Sequence, residues 1–191
     1  NGTRHWGGNL ITHQLVRIGS DRLGVKSPES VQGYFTKEAD LTVAGETGTV
    51  SKSGANYTID GSGSAAMYKF NGVEGSAKIN GTISFSNVSG TASIGFNAKT
   101  DNAGTYIIKF DPTNHRIAAW NYGTEVTRVP FNFEAGKNYN FSIVIDNSVA
   151  VLYVNNEVAL TNRIYSLQGN MWSLGAEGLQ VNLGNLKVST H

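Results

Sequence analysis

Arg116, Ala118 and Trp120 alternate along a short segment that reads as one strand, so their side chains leave the same face, and Tyr122 and Glu125 follow just beyond. A flat aromatic ring that meets the C–H face of a sugar, beside planar polar groups that bond adjacent hydroxyls, is the chemistry of saccharide recognition. The competing reading packs Trp120 in the core and leaves Arg116 as surface decoration. Trp172 and Glu177 form a second candidate pair, in the Gly-rich stretch Gly169 to Gly178, which is expected to be a loop flanking the last strand. There the competing reading makes Trp172, close to Leu174, a plug for one end of the core.

Other chemistry has less support. Hydrolysis of a glycosidic bond takes two carboxyl groups about 5 to 9.5 Å apart. Glu38-Ala39-Asp40-Leu41-Thr42-Val43 comes nearest to the Glu-x-Asp-x-x-Glu arrangement that sets acids on one strand face, but Val43 stands where the last acid belongs. That segment is expected to be the solvated edge of the first sandwich strand, and no catalytic residue is assigned. His5, His13, His115 and His191 share no metal-ligand spacing and no nucleophile or acid is arranged around them. Asp101-Asn102 and Asp146-Asn147 offer loop oxygens of the kind that hold a structural calcium, though without a regular ligand ladder. No other cofactor is expected and the metal ligands stay unknown. Arg163 is expected to tie loops or a neighbouring domain together through its fork of donors.

The elements that must position these residues are legible in the composition. The chain has 191 residues, with 15 Lys plus Arg against 14 Asp plus Glu and a net charge of +1, so a strongly basic nucleic-acid binder and an acidic disordered tail are both excluded. It has no cysteine, which removes disulfides, thiolate metal sites and cysteine nucleophiles. The longest apolar run, Val149 to Val154, is far short of the roughly 20 residues of a membrane span. It begins at Asn1 and shows no leader-like segment, which suggests a processed form or an excised fragment. Five Asn-x-Ser/Thr triplets, at Asn1, Asn56, Asn80, Asn87 and Asn140, are what an Asn-, Ser- and Thr-rich chain produces by chance.

From about residue 56 onward apolar and polar residues alternate with period two, as at Ile83/Phe85, Ile94/Phe96, Tyr106/Ile108/Phe110 and Phe141/Ile143/Ile145. Turn pairs such as Asp60-Gly61, Asn80-Gly81, Asp146-Asn147 and Asn155-Asn156 separate these segments. Asn140–Asp146, Val149–Val154 and Val158–Thr161 predict an antiparallel meander, and Asp111-Pro112-Thr113-Asn114 turns Tyr106–Phe110 back into Arg116–Trp120. About a dozen short strands with no helical period imply an all-β fold of two antiparallel sheets packed face to face. Residues 1–36, with Pro28 as a breaker and room for one or two strands, read as a connector arm or the tail of a preceding domain. Residues 37–191 read as the sandwich.

Two stretches resemble a known family. Trp6-Gly7-Gly8-Asn9-Leu10-Ile11-Thr12-His13-Gln14-Leu15-Val16, continuing to Leu23-Gly24-Val25-Lys26, resembles the segment by which glycoside hydrolase family 32 enzymes leave their five-bladed catalytic propeller and enter a C-terminal β-sandwich. Val151-Leu152-Tyr153-Val154-Asn155 with Ala159-Leu160-Thr161-Asn162-Arg163-Ile164-Tyr165 resembles that sandwich's penultimate hairpin. The resemblance implies a concanavalin-like (jelly-roll) sandwich from an enzyme acting on sucrose or fructan, or from the related fructan-binding modules. It implies no catalysis here. The family's Asn-Asp-Pro-Asn-Gly, Arg-Asp-Pro and Glu-Cys motifs are missing, and Asp111-Pro112 follows Lys109-Phe110 rather than Arg.

The expectation is therefore a non-catalytic accessory sandwich of a glycoside hydrolase. It supports an upstream propeller, binds an oligo- or polysaccharide such as fructan, or does both, in a secreted, periplasmic or cell-surface setting. The binding residues expected are Arg116, Trp120, Tyr122, Glu125, Trp172 and Glu177. A stand-alone lectin-like protein is the alternative, and a sandwich glycosidase a more distant one.

Overall fold

A computed structural model describes residues 11–99, 101–165, 167 and 169–191. His5 and the first half of the connector motif, Trp6 to Leu10, lie outside the described residues. The described chain opens with a hairpin, β1 (Gln14–Ile18) and β2 (Arg22–Lys26), and a short helix, α1 (Glu29–Tyr34). Then come β3 (Lys37–Ala39), β4 (Val43–Thr47), β5 (Thr49–Ser53), β6 (Asn56–Asp60), β7 (Ala66–Phe70), β8 (Ala77–Phe85) and β9 (Thr91–Phe96). They are followed by β10 (Tyr106–Asp111), β11 (Arg116–Asn121), β12 (Thr124–Pro130), β13 (Tyr139–Asp146), β14 (Val149–Val154), β15 (Val158–Arg163), β16 (Trp172–Glu177) and β17 (Gln180–Thr190).

Beyond the hairpin the strands form two antiparallel sheets. One has seven strands in the order β12-β11-β10-β9-β16-β7-β4. The other has eight, β15-β14-β13-β8-β17-β6-β5 with β3 paired to β17. Period-two patterning puts Ile94, Phe96, Ile108, Phe110 and Leu174 on the inner face of the first, against Ile83, Phe85, Phe141, Ile143, Leu152 and Leu183 of the second. Each such buried side chain contributes about 1.5–3 kcal/mol, and together they make one continuous core between the sheets. At the edge where β12 meets β15, a buried polar chain closes the sandwich. Thr127 Oγ1 donates to Asn162 Oδ1 at 3.0 Å, and Asn162 Nδ2 donates to the Tyr106 hydroxyl at 2.9 Å.

The meander β13-β14-β15 and the β10-β11 hairpin match the sequence expectation, the latter turned by a 3₁₀ segment at Pro112–Asn114. Three local expectations fail. Pro28 does not break the arm into irregular chain: its carbonyl accepts from Val31 and Gln32 at 3.0 Å each and starts α1, a place where a missing N–H costs nothing. Glu38–Val43 is not one strand, because β3 pairs in the eight-stranded sheet and β4 in the other, with Asp40–Thr42 crossing between them. And the stretch Gly169 to Gly178 is not a loop beside the last strand. It contains β16, hydrogen-bonded between β9 and β7 in the middle of its sheet.

The arm lies over the outside of the eight-stranded sheet. Val149, Val151 and Tyr153 point outward from β14 and pack with Ile11, Val25 and Ala159 in a second apolar cluster. Gly24 allows this: a Cβ there would run into the Asn156 carbonyl oxygen and the Ile18 side chain.

Candidate carbohydrate-binding face

The outer face of the seven-stranded sheet carries most of the sequence-predicted site. Ile117 and Ala119 of β11 face the core, so Arg116, Ala118 and Trp120 face outward as their spacing requires. Hydrogen-bond register then decides which residues of other strands join them. Arg116 pairs with Asp111, and Asp111 lies in line with Thr91 of β9, which pairs with Glu177 of β16. One row of the outer face therefore runs Arg116, Asp111, Thr91, Glu177, spanning about 14 Å for three strand spacings. The next outward row runs Ala118, Lys109, Ser93, Gly175, and the third runs Trp120, Ile107, Gly95, Ser173. Small residues occupy the middle of the sheet and charged or aromatic ones its β11 side.

The Arg116 guanidinium is braced on two sides. Its Nε donates to Asp111 Oδ2 at 3.1 Å and its Nη1 to Glu125 Oε2 at 3.0 Å. Glu125 also meets Arg128 at 3.4 Å, and Asn114 holds Asp111 Oδ2 at 2.8 Å through its side-chain amide. Asp111 is nearly buried, with 4% of its side chain exposed, so its charge needs these donors. A bulge between Ala119 and Trp120 shifts the register so that Glu125 lies opposite Trp120, which brings the carboxylate to the cluster. Trp120 is half-buried, with Lys109 Nζ 5.0 Å and the Arg116 guanidinium carbon 5.5 Å from its ring centroid. A ligand approaching here meets the two cations together with the indole. Lys109 had no sequence signal of its own; it becomes visible only because β10 pairs with β11.

Tyr122 lies at the tip of the β11–β12 hairpin, 78% exposed, with φ +48 followed by Gly123 at φ +78. An unburied aromatic residue thus stands at the hairpin tip, two residues along the chain from Trp120, in a turn that suits Asn or Gly better than Tyr. Glu177, placed by sequence in a separate candidate, joins the first on the same sheet face. Trp172 does not. It is 3% exposed and stacks on Phe70 at 4.5 Å between ring centroids, so the core-plug reading holds and its ring is closed to a ligand.

The remaining candidates are dispersed. Glu38 is exposed and pairs with Lys187 at 3.4 Å. Asp146 Oδ1 accepts from Ser76 at 2.6 Å, and Asp101 Oδ1 accepts from Asn102 at 3.2 Å. Among the described residues no three His, Asp or Glu side chains gather as a metal site would require. His13 Nδ1 lies 2.9 Å from the Tyr153 hydroxyl, His191 stacks on Tyr34, and His115 takes the left-handed conformation that ends the 3₁₀ turn. Arg163 is exposed at the end of β15. Among the described residues no helix is long and apolar enough to cross a membrane.

Two antiparallel sheets packed face to face, one of them with an open outer face, define an all-β sandwich. Residues 19–188 match the sequence profile described as GH32, BT1760-like, C-terminal domain, and the chain belongs to that family: it is an accessory β-sandwich of glycoside hydrolase family 32. No curated protein sequence matches significantly. Among solved structures, the carbohydrate binding module CBM66 from Bacillus subtilis is similar with TM-score 0.63 and 12% identity, over 82% of this chain and 99% of that one. The Aspergillus kawachii beta-fructofuranosidase complexed with glycerol is similar with TM-score 0.62 and 16% identity, over 88% of this chain and 30% of that one. The exoplasmic/lumenal domain of VIP36 in its Ca2+/Man3GlcNAc-bound form gives TM-score 0.61 and 9% identity, over 76% and 85%. Identities this low speak for the fold alone, and the chain spans under a third of the fructofuranosidase.

Proposed function

We propose that this sandwich binds saccharide through the outer face of its seven-stranded sheet, with Arg116, Glu125, Trp120 and Lys109 as the centre and Tyr122 and Glu177 at its margins. The observation that carries the reading is the bracing of Arg116 between Asp111 and Glu125. A guanidinium so fixed presents its remaining donors in one orientation, at little further entropy cost on binding. Glu125 and Glu177 supply acceptors for hydroxyls, and Tyr122 supplies the exposed ring. The ligand proposed is a fructose-containing oligo- or polysaccharide, because the family's catalytic members act on such glycans. Residues 1–36 act as the connector to a catalytic propeller and residues 37–191 as the binding module, outside the cytoplasm where polysaccharide is met.

Isothermal titration of the chain against levan, inulin, sucrose and fructose tests this. Heat with at least one ligand is expected, weakened about tenfold or more by Trp120→Ala and by Arg116→Ala. No heat with any of them, while the chain associates with an added family 32 propeller, overturns it in favour of a packing role. One observation supports such a role beside binding. Leu15 and Leu23 are 67% and 72% exposed on the arm hairpin, apolar surface suited to a neighbouring domain.

A further inference from the structure

Charge is not balanced on the outer face of the seven-stranded sheet, and the excess can be traced to one side chain. Three cations, Arg116, Arg128 and Lys109, gather on its β11 side with two carboxylates, Asp111 and Glu125. Arg116 meets both acids and Arg128 meets Glu125, at 3.0 to 3.4 Å. Lys109 meets neither. Among the described residues its ammonium has no carboxylate and no hydrogen-bond acceptor, and rests only against the Trp120 ring, 5.0 Å from the centroid. The residue is half-buried, so it gives up part of its hydration without an anion in return.

The surroundings leave that ammonium open to a ligand. Lys109 lies opposite Ala118 on one side and Ser93 on the other, and Ser93 lies opposite Gly175. These side chains are too small to cover it. A Cβ at Gly175 would come to 2.7 Å from Ser93 Oγ, so the serine hydroxyl leans over the glycine, and among the described residues it too has no hydrogen-bond partner. Beyond Asp111 and Glu125, the next acid by register is Glu177, two strand spacings or about 10 Å from β10. A neutral hydroxyl would give Lys109 one uncharged acceptor. An oxyanion gives it both the acceptor and the missing charge, in the stronger, charge-assisted form of hydrogen bond. The indole on one side and the Ser93 hydroxyl on the other suit a sugar ring that carries that oxyanion.

We infer that Lys109 forms an anionic subsite on the outer face, so that the face takes a saccharide bearing an oxyanion, a carboxylate or a sulfate ester, in preference to its neutral counterpart. This rests on the outer-face reading and adds to it the charge of the ligand. The test is isothermal titration of the whole chain with two matched pairs: levan and sulfated levan, and polygalacturonate and its methyl ester. At low salt at least one anionic polymer should bind about tenfold more tightly than its neutral partner, and added salt should shrink the advantage. Lys109→Gln should bring the ratio close to one. Lys37→Gln, which removes the same charge from the exposed strand β3 of the other sheet, should leave the ratio in place. Equal affinities within both pairs, lost together in Trp120→Ala, overturn the inference and leave the outer-face reading standing. A preference that survives Lys109→Gln, or that Lys37→Gln removes as fully, overturns it too. Binding untouched by Trp120→Ala, or no binding to any of the four polymers, removes the outer-face reading and this inference together.

Discussion

The two outer faces of this sandwich are built from strands of the same kind and end in opposite states. On the eight-stranded sheet the outward positions of β14 are Val149, Val151 and Tyr153, and the chain folds its own arm over them. On the seven-stranded sheet the outward positions of β11 are Arg116, Ala118 and Trp120, joined by Lys109 and Glu125, and the face carries charge. A sheet face left bare must be polar, and one that reads apolar must be covered. The first face is occupied by its own polypeptide, and the second is left open, with its arginine fixed by ion pairs.

The sharpest way to break that contrast is to uncover the first face. Gly24→Val places a branched side chain against the Asn156 carbonyl, where only a glycine fits. The arm must lift, and the cost is about 3 kcal/mol for overpacking. A lowered Tm and increased binding of a hydrophobic dye are the expected readouts. An unchanged Tm would mean that the arm contributes nothing to the stability of the sheet beneath it.

On the open face the corresponding test is Arg116→Ala. It leaves the nearly buried Asp111 with Asn114 as its remaining partner in the cluster, and about 2 kcal/mol of stability should be lost, less than for a fully buried pair because Arg116 is partly exposed. Arg116→Ala with Asp111→Asn should recover part of that loss in denaturant titrations. If the double variant is as unstable as the single one, the bracing is not what holds the arginine.

Sequence disclosed the two faces unequally. Wherever inward residues are large and outward ones polar, as in Phe141, Ile143 and Ile145 or in Tyr106, Ile108 and Phe110, period two is visible and the strands are read correctly. β16 escaped because its outward positions are Ser173 and Gly175 and glycines flank it, so alternation of size, not of polarity, carried the signal. The run Val149–Val154 held a clue that was legible but unused. Six apolar residues in a row cannot have one wet face, so something had to cover β14. That Glu177 shares a sheet face with Arg116, and the part played by Lys109, were beyond reach, since both depend on register between strands. Trp172 misled for a simpler reason: a tryptophan among glycines looks like a loop platform, and only its stacking on Phe70 shows it to be core.

The edge that joins the two sheets gives the faces a common dependence on pH. Burial raises the Tyr106 phenol well above its ordinary value of 10.0, with the Asn162 hydrogen bond opposing in part. The fold therefore favours the neutral phenol. Below about pH 10 both folded and unfolded chains keep the proton and this contribution is complete. Above it the unfolded phenol ionises first, so stability falls as pH rises. Tyr68 and Tyr153 are raised as well, mainly by burial, and act in the same direction. Thermal melts between pH 8 and pH 11 should show a Tm that declines above about pH 10. Tyr106→Phe should be less stable at pH 8, having orphaned the Asn162 amide, but should decline less steeply. Parallel slopes for the two proteins would remove Tyr106 as a cause.

The smallest effect in stability separates structure from function most directly. Tyr122 and Gly123 both have positive φ, the requirement of a tight two-residue hairpin turn, and Asn-Gly meets it with least strain. Tyrosine there costs about 1 kcal/mol relative to a residue that tolerates the left-handed region, and its ring is too exposed to recover much by packing. Tyr122→Asn should therefore raise stability by up to about 1 kcal/mol. If the ring belongs to the saccharide site, the same substitution weakens binding in calorimetry, and the strain is maintained for recognition. A variant that is more stable and binds equally well would show that the site ends at Trp120, and would confine recognition to the braced arginine and its neighbours.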